Sequence, residues 1–274
     1  MTITPGYFPI ILGLEFEFYY FYLLIFSIRS FKLFGVYVLA KKKKLSKKQI
    51  KEDKLVSLSN KALTFYENYQ QKIIIAVGII AIVIIAVLLY MNNKQKNNEE
   101  ATTYLARIMP SYDMGSYQKA IDGESGTNVL GLKQIVEDYG STQQGNYAKI
   151  YLANSYFFLG YFDEALKYYS DYSGSNPLFE AAAYAGIAGC YESKNNFESA
   201  AENFKKAAFI SEANPSNPDY LLKAGIDFLK VRNYDEAKRL LDLILTDYAN
   251  SNQKQDADRY IAAVEVFKDN EENE

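Results

Sequence analysis

Three segments of this chain fall into one register. With Tyr156, Tyr191 and Phe228 aligned, small residues follow nine positions later at Ala165, Ala200 and Ala237, and large ones thirteen later at Tyr169, Phe204 and Leu241. Three positions before the anchor stand Ala153, Ala188 and Gly225. The anchors are 35 and 37 residues apart, and GYFDEA, NNFESA and RNYDEA join the two halves of each unit. A helical period on both sides of a turn gives two antiparallel helices per unit. Small residues then mark where the pair packs closest, and large aromatics fill the space beside them. A repeat of this length fixes the fold class before any single residue does.

Composition agrees with that reading only for part of the chain. About half of the residues are apolar, 49%, but the long hydrophobic runs crowd into the first ninety positions. The remainder mixes Ala, Tyr, Leu, Lys, Glu and Asn as a soluble helical domain does. The chain therefore reads as a soluble domain tethered to a membrane. A net charge of -3 with one short lysine block argues against nucleic acid as a partner. The sequence has no histidine, which removes Ser-His-Asp and Cys-His nucleophiles and every His-containing metal site. A single cysteine, Cys190, forms no intrachain disulfide and reads as a small core residue. No pair of carboxylates stands out as an acid/base couple. No enzyme activity, cofactor, metal or small-molecule substrate is expected.

The hydrophobic N-terminal segment, residues 1–37, leaves three readings open. Ile10 to Ile28 is rich in Ile, Leu and Phe but carries Glu15 and Glu17. The apolar residues favour insertion by about 4 to 7 kcal/mol and two central acids oppose it by about 5 to 7 kcal/mol. A weak membrane helix, a signal-like segment and an upstream extension from a misplaced start codon all fit. The last is favoured because LAKKKKLSKKQ, from Leu39, looks like an ordinary bacterial N-terminus if Leu39 is an alternative initiator. Residues 38–71 form a basic segment, with eight lysines against two acids between Lys41 and Lys54. A solvated tail is the bland reading. The apolar helix that follows makes it a positive-inside marker instead, with attraction to anionic lipid as a second role.

Ile73 to Tyr90, IIIAVGIIAIVIIAVLLY, runs for eighteen residues without a charge, and thirteen of them are Ile, Val or Leu. A helix of this length spans about 27 Å, close to the hydrocarbon thickness of a bilayer. Residues 72–91 are expected to be a transmembrane helix, flanked by Phe65, Tyr66 and Tyr69 at the interface. Gly78 has no partner for a GxxxG face. The less basic flank NNKQKNNEE places the N-terminus in the cytoplasm and the rest outside, in a bacterium the periplasm. If residues 10–28 also insert, both termini are periplasmic and the C-terminal domain stays where it was. Residues 92–145 read as a linker and a degenerate helical repeat: Ala101 to Met109 and Gln118 to Ile121 form an imperfect pair, DGESGTN is a turn, and Leu130 to Tyr139 is helical. Residues 251–268 suit a capping helix, and 269–274 a frayed tail.

The recurring small, aromatic, small, aromatic order over residues 146–250 resembles the tetratricopeptide repeat, a helix-turn-helix of about 34 residues. Departures lie where the family has an early aromatic, here Lys149, Tyr184 and Leu221, and in the closing proline, present as Pro177 but replaced by Pro215 and Pro218 in the longer second linker. The resemblance implies an all-α solenoid of about three regular repeats, a degenerate N-terminal repeat and a capping helix, preceded by the membrane helix. It also implies a concave face that holds another protein. By the family's geometry the exposed positions there would be Tyr147, Ile150, Asn154, Phe157 and Phe158 in the first repeat, Glu192 in the second, and Leu222, Ile226 and Leu229 in the third. The family's carboxylate clamp is not reproduced, because Ile150 and Gly186 stand where clamp residues would be needed and only Asn154 fits. Asp163-Glu164 and Asp235-Glu236 open second helices as acids suited to the positive end of the dipole.

Basic tail, single span and repeat domain together are similar in plan to the YfgM-like ancillary subunits of the Sec translocon. That resemblance implies partners among translocon subunits, periplasmic chaperones and translocating polypeptides. The alternative is a structural scaffold of another envelope complex, such as outer-membrane assembly, secretion or gliding machinery.

Overall fold

The computed structural model describes residues 54–272. The readings of residues 1–37, of the lysine-rich block before Lys54 and of the last two residues lie outside them. The chain divides into two compact units, Met1–Ile80 and Ala81–Glu274. Among the described residues the structure is all-α apart from one two-residue β ladder.

Helix α1, Lys54–Asp113, carries the apolar run. It is long and apolar enough to cross a membrane, and none of that stretch is buried by the rest of the protein. In the first unit the rings of Phe65 and Tyr69 lie 4.9 Å apart. One expectation is corrected: residues 92–98 are helix, not linker. Asparagines weaken a helix in isolation, but extending an existing helix is far easier than starting one. Tertiary bonds also hold this stretch, since Asn98 Oδ1 accepts from the Gln144 amide at 2.9 Å and Glu100 accepts from the Tyr139 hydroxyl at 3.1 Å. Pro110 removes the N–H that would meet the Ala106 carbonyl. Both residues are exposed, so water can donate to that carbonyl instead.

Helix α2, Tyr117–Asp122, leads into strand β1, Gly123–Glu124, paired antiparallel with β2, Val129–Leu130. Gly131 then starts α3, Leu132–Tyr139. A Cβ on Gly131 would meet the Ile121 carbonyl oxygen at 2.2 Å, so only glycine lets the strand return this close.

The remaining helices are α4 (Gln143–Phe158), α5 (Phe162–Ser170), α6 (Pro177–Ser193), α7 (Phe197–Phe209), α8 (Asn217–Lys230), α9 (Tyr234–Asp247) and α10 (Lys254–Glu272). Side-chain caps fix several starts: Thr142 accepts from Gly145, Asn176 from Leu178, Asn196 from Ser199 and Asn233 from Glu236. Pro177 is the first residue of α6, where a missing N–H goes unnoticed. It opens the next helix as much as it closes the unit before.

Among the described residues one turn recurs four times. Gly115, Gly160, Asn195 and Arg232 all have positive φ. Each donates its amide three residues back, and the next amide reaches five residues back, to Ser111, Tyr156, Tyr191 and Phe228 respectively. This is the Schellman closure of a helix C-terminus. It joins α1 to α2, α4 to α5, α6 to α7 and α8 to α9, so the imperfect first pair turns as the three regular ones do. The anchors Tyr156, Tyr191 and Phe228 are the residues whose carbonyls the turn occupies.

The core of the second unit runs through these pairs. One buried cluster joins Ile108, Ile121, Leu132, Ile135 and Leu152, a second Ile150, Ala153, Ala165, Tyr169 and Cys190, and a third Phe204, Leu221, Phe228, Leu241 and Val264. Tyr156 and Tyr168 pack against both of the first two. Gly225 is where α8 and α9 come closest, since a Cβ there would lie 2.8 Å from Leu241 Cγ. Helix α10 covers the last pair through Ala257 and Val264 and continues to Glu272. Residues 269–272, expected to fray, are thus helical. Arg232 pairs with Glu271 at 3.1 Å across that end.

Candidate functional site

The residues expected to face a groove have distinct surroundings. Ile150 is 3% exposed and belongs to the core, because α6 packs over it with Ala183 and Cys190. An open position was expected for it, and a repeat's neighbour has taken that surface instead. Tyr147 stacks on Phe179 of α6 with centroids 4.1 Å apart, and its hydroxyl receives Gln143 Nε2 at 2.8 Å. Asn154 bridges helices: Nδ2 donates to the Tyr112 hydroxyl at 2.9 Å, and Oδ1 accepts from Tyr169 at 2.5 Å. Burial raises the pKa of Tyr112 and Tyr169, so both hydroxyls keep their protons.

Phe157 is half-buried, edge-on to Phe162 at 5.3 Å. Its neighbour Phe158 is 59% exposed and lies flat on Tyr117, centroids 4.8 Å apart. Adjacent residues on a helix point about 100° apart, which is why one ring enters the core and the other does not. Leu222 and Leu229 pack at the edge of the last cluster, and Ile226 is half-buried. The expected set thus divides between α4, α6 and α8, with Phe158 the most open of its large apolar members.

Glu192 brings α6 to α8. Its carboxyl is half-buried beside Asp227, which is fully buried, and Lys230 Nζ stands 2.8 Å from Asp227 Oδ1 and 3.8 Å from Glu192 Oε1. Burial raises both carboxyl pKa values, and for Glu192 the neighbouring Asp227 charge adds to it. Asp227 Oδ2 has no donor if both groups are ionised. A proton held on Glu192 satisfies it. Lys230 also lies 4.2 Å over the Phe197 ring.

Three apolar residues missed by the groove reading gather at the turns. Met114 is 72% exposed beside Gly115, and Leu159 and Tyr161 are exposed on either side of Gly160. With Phe158 on Tyr117 they give the first two turns an apolar edge. The signal in the sequence was the run YFFLGY, which sets Phe158 on the last residue of the helix and Tyr161 beyond it. Burial raises the Cys190 thiol pKa to about 11, so it is inert at neutral pH. Among the described residues no group of three His, Cys, Asp or Glu side chains could hold a metal ion. No family model matches this chain, and no curated protein matches it.

Proposed function

We propose that this is a membrane-anchored protein-binding module built of tetratricopeptide-type repeats. The observation that carries the reading is the apolar turn edge, in which Phe158 lies open on Tyr117 and Met114 is exposed at the turn just before Tyr117. Open aromatic and methionine side chains on a rigid helical frame are what protein interfaces use as anchors. The four identical turns and the small residues at Gly225 and Ala153 support the solenoid reading. The basic flank before α1 supports a cytoplasmic N-terminus and a periplasmic repeat domain in the bacterial inner membrane.

Within that reading the partner is a subunit of the Sec translocon or a client or chaperone beside it, by analogy of plan with YfgM-like subunits. A photo-crosslinking amino acid at position 158 of the full chain in its native membrane tests this. Crosslinks to channel subunits or to emerging polypeptides are expected. Crosslinks to an abundant outer-membrane assembly, secretion or gliding complex would replace the translocon with a scaffold role, and no protein adduct at all would remove the binding reading. Reporter fusions after Met91 check topology, since activity of a cytoplasmic reporter there contradicts the periplasmic placement.

A further inference from the structure

A cavity of about 200 Å3 opens between the end of α5 and the first three turns of α6. It is smaller than the roughly 300–1,000 Å3 that a whole small-molecule ligand occupies, and of a size for one long side chain. Tyr169, Tyr172 and Tyr184 contribute aromatic walls, and Glu180 contributes a carboxylate. Glu180 is half-buried and its amide donates to the Asn176 carbonyl at 3.0 Å, but among the described residues its carboxylate has no ion pair or hydrogen bond. Tyr172 feels that charge, which adds to burial in raising its pKa.

We propose that this notch receives an arginine side chain from a partner polypeptide. Two features of the chemistry agree. Aromatic faces attract a cation, and the flat guanidinium can stack on a tyrosine ring while it grips a carboxylate with two N–H groups. Helix α5 ends here with Tyr169 and Ser170, but Lys149 Nζ already meets that end at the Asp171 carbonyl, 3.0 Å away, so the carboxylate and the rings carry the recognition. The start of α6 carries the opposite partial charge, but Glu180 already answers it. The protein itself shows the preference of these rings: Lys206 Nζ lies 5.8 Å over Tyr184. That lysine is exposed and makes no ion pair with Glu180, so an incoming guanidinium displaces it from the ring without breaking a salt bridge.

That the arginine belongs to a polypeptide rests on the protein-binding reading above; the guanidinium chemistry does not. The test uses the full chain in lipid nanodiscs with labelled methyl groups, because Ala183 and Ile187 line the notch and report on it. Blocked arginine, N-acetyl-arginine methylamide, is titrated against its neutral isostere, the blocked citrulline. Saturable shifts of both methyls with arginine alone are expected, with affinity reduced roughly tenfold by Glu180→Gln. Lys206→Ala, which removes the internal competitor, is expected to strengthen binding a few-fold. Equal shifts with citrulline, an unchanged affinity in Glu180→Gln, or no shift at tens of millimolar arginine would each overturn the proposal. Those results leave the crosslinking test at Phe158 untouched, so the two readings fail separately.

Discussion

Gly186 faces the ring of Tyr169 so closely that a Cβ added to it would stand 2.2 Å from the ring carbon bearing the hydroxyl. The absence of a clamp side chain at this position is thereby explained by packing: the tyrosine of the preceding unit occupies the room. Gly186→Ala must push the ring aside and disturb its bond to Asn154. A loss of about 1 to 3 kcal/mol in stability is expected, as for other overpacked cores. Thermal unfolding of the full chain in mild detergent, followed by circular dichroism, checks it. An unchanged midpoint would show that the ring has another place to go.

The Glu192–Asp227 pair gives the stability a pH dependence. Both folded pKa values are raised, so the pair's contribution is complete below the ordinary carboxyl range and declines as pH rises through the folded values. Asp227→Asn keeps an acceptor for Lys230 and offers an amide to Glu192, which removes the clash of charges. The gap in unfolding midpoint between variant and native chain should therefore shift in the variant's favour from pH 4 to pH 8. A gap that stays constant over that range would mean the two carboxyls do not share a proton.

Turn chemistry can be exchanged between units. Asn196 and Asn233 cap α7 and α9, but Tyr161 at the same place before α5 makes no side-chain cap. Tyr161→Asn should gain about 1 kcal/mol, the usual value of such a cap. Arg232 holds φ at 62°, a conformation glycine adopts freely, so Arg232→Gly should offset the loss of its surface pair with Glu271 and leave a net gain of a few tenths of a kcal/mol. Denaturant unfolding of each variant reads the change. Destabilisation of both would mean the turns are held by something other than their backbone geometry.

Phe157 and Phe158 should part company under mutation. Phe158→Ala is expected to change stability by less than about 0.5 kcal/mol, and Phe157→Ala to cost about 1 to 3 kcal/mol. Equal losses would place both rings in the core and weaken the case for an open edge at the turns.

Much of the helical pairing could be read from Tyr156, Tyr191 and Phe228, because their spacing reflects a backbone need: each offers its carbonyl to the turn that follows. The helices of the first pair were legible too, at Ala101 to Met109 and Gln118 to Ile121, and their turn lies inside the SYDMGSYQKAI around which they pair. Gly115 and Ser116 form it as Gly160 and Tyr161 form the next, with Ala120 and Ala165 each five residues after the glycine. The stretch 92–98 misled because local propensity favours a break where tertiary bonds from Asn98, and from Glu100 just beyond it, sustain a helix. Site residues were harder. Whether Ile150 or Phe158 is open depends on how the next unit leans on α4, and that is set by contacts such as Tyr147 on Phe179, which a single repeat does not encode.

The recurring turn also bears on how the chain is made. Each Schellman closure joins residues only five apart, and each pair it closes is complete within some 35 residues of sequence. Contacts so near along the chain cost little loop entropy and form fast. As the polypeptide lengthens, one hairpin can close and offer its flank as a template before the next has left the ribosome, so assembly proceeds in the direction of synthesis.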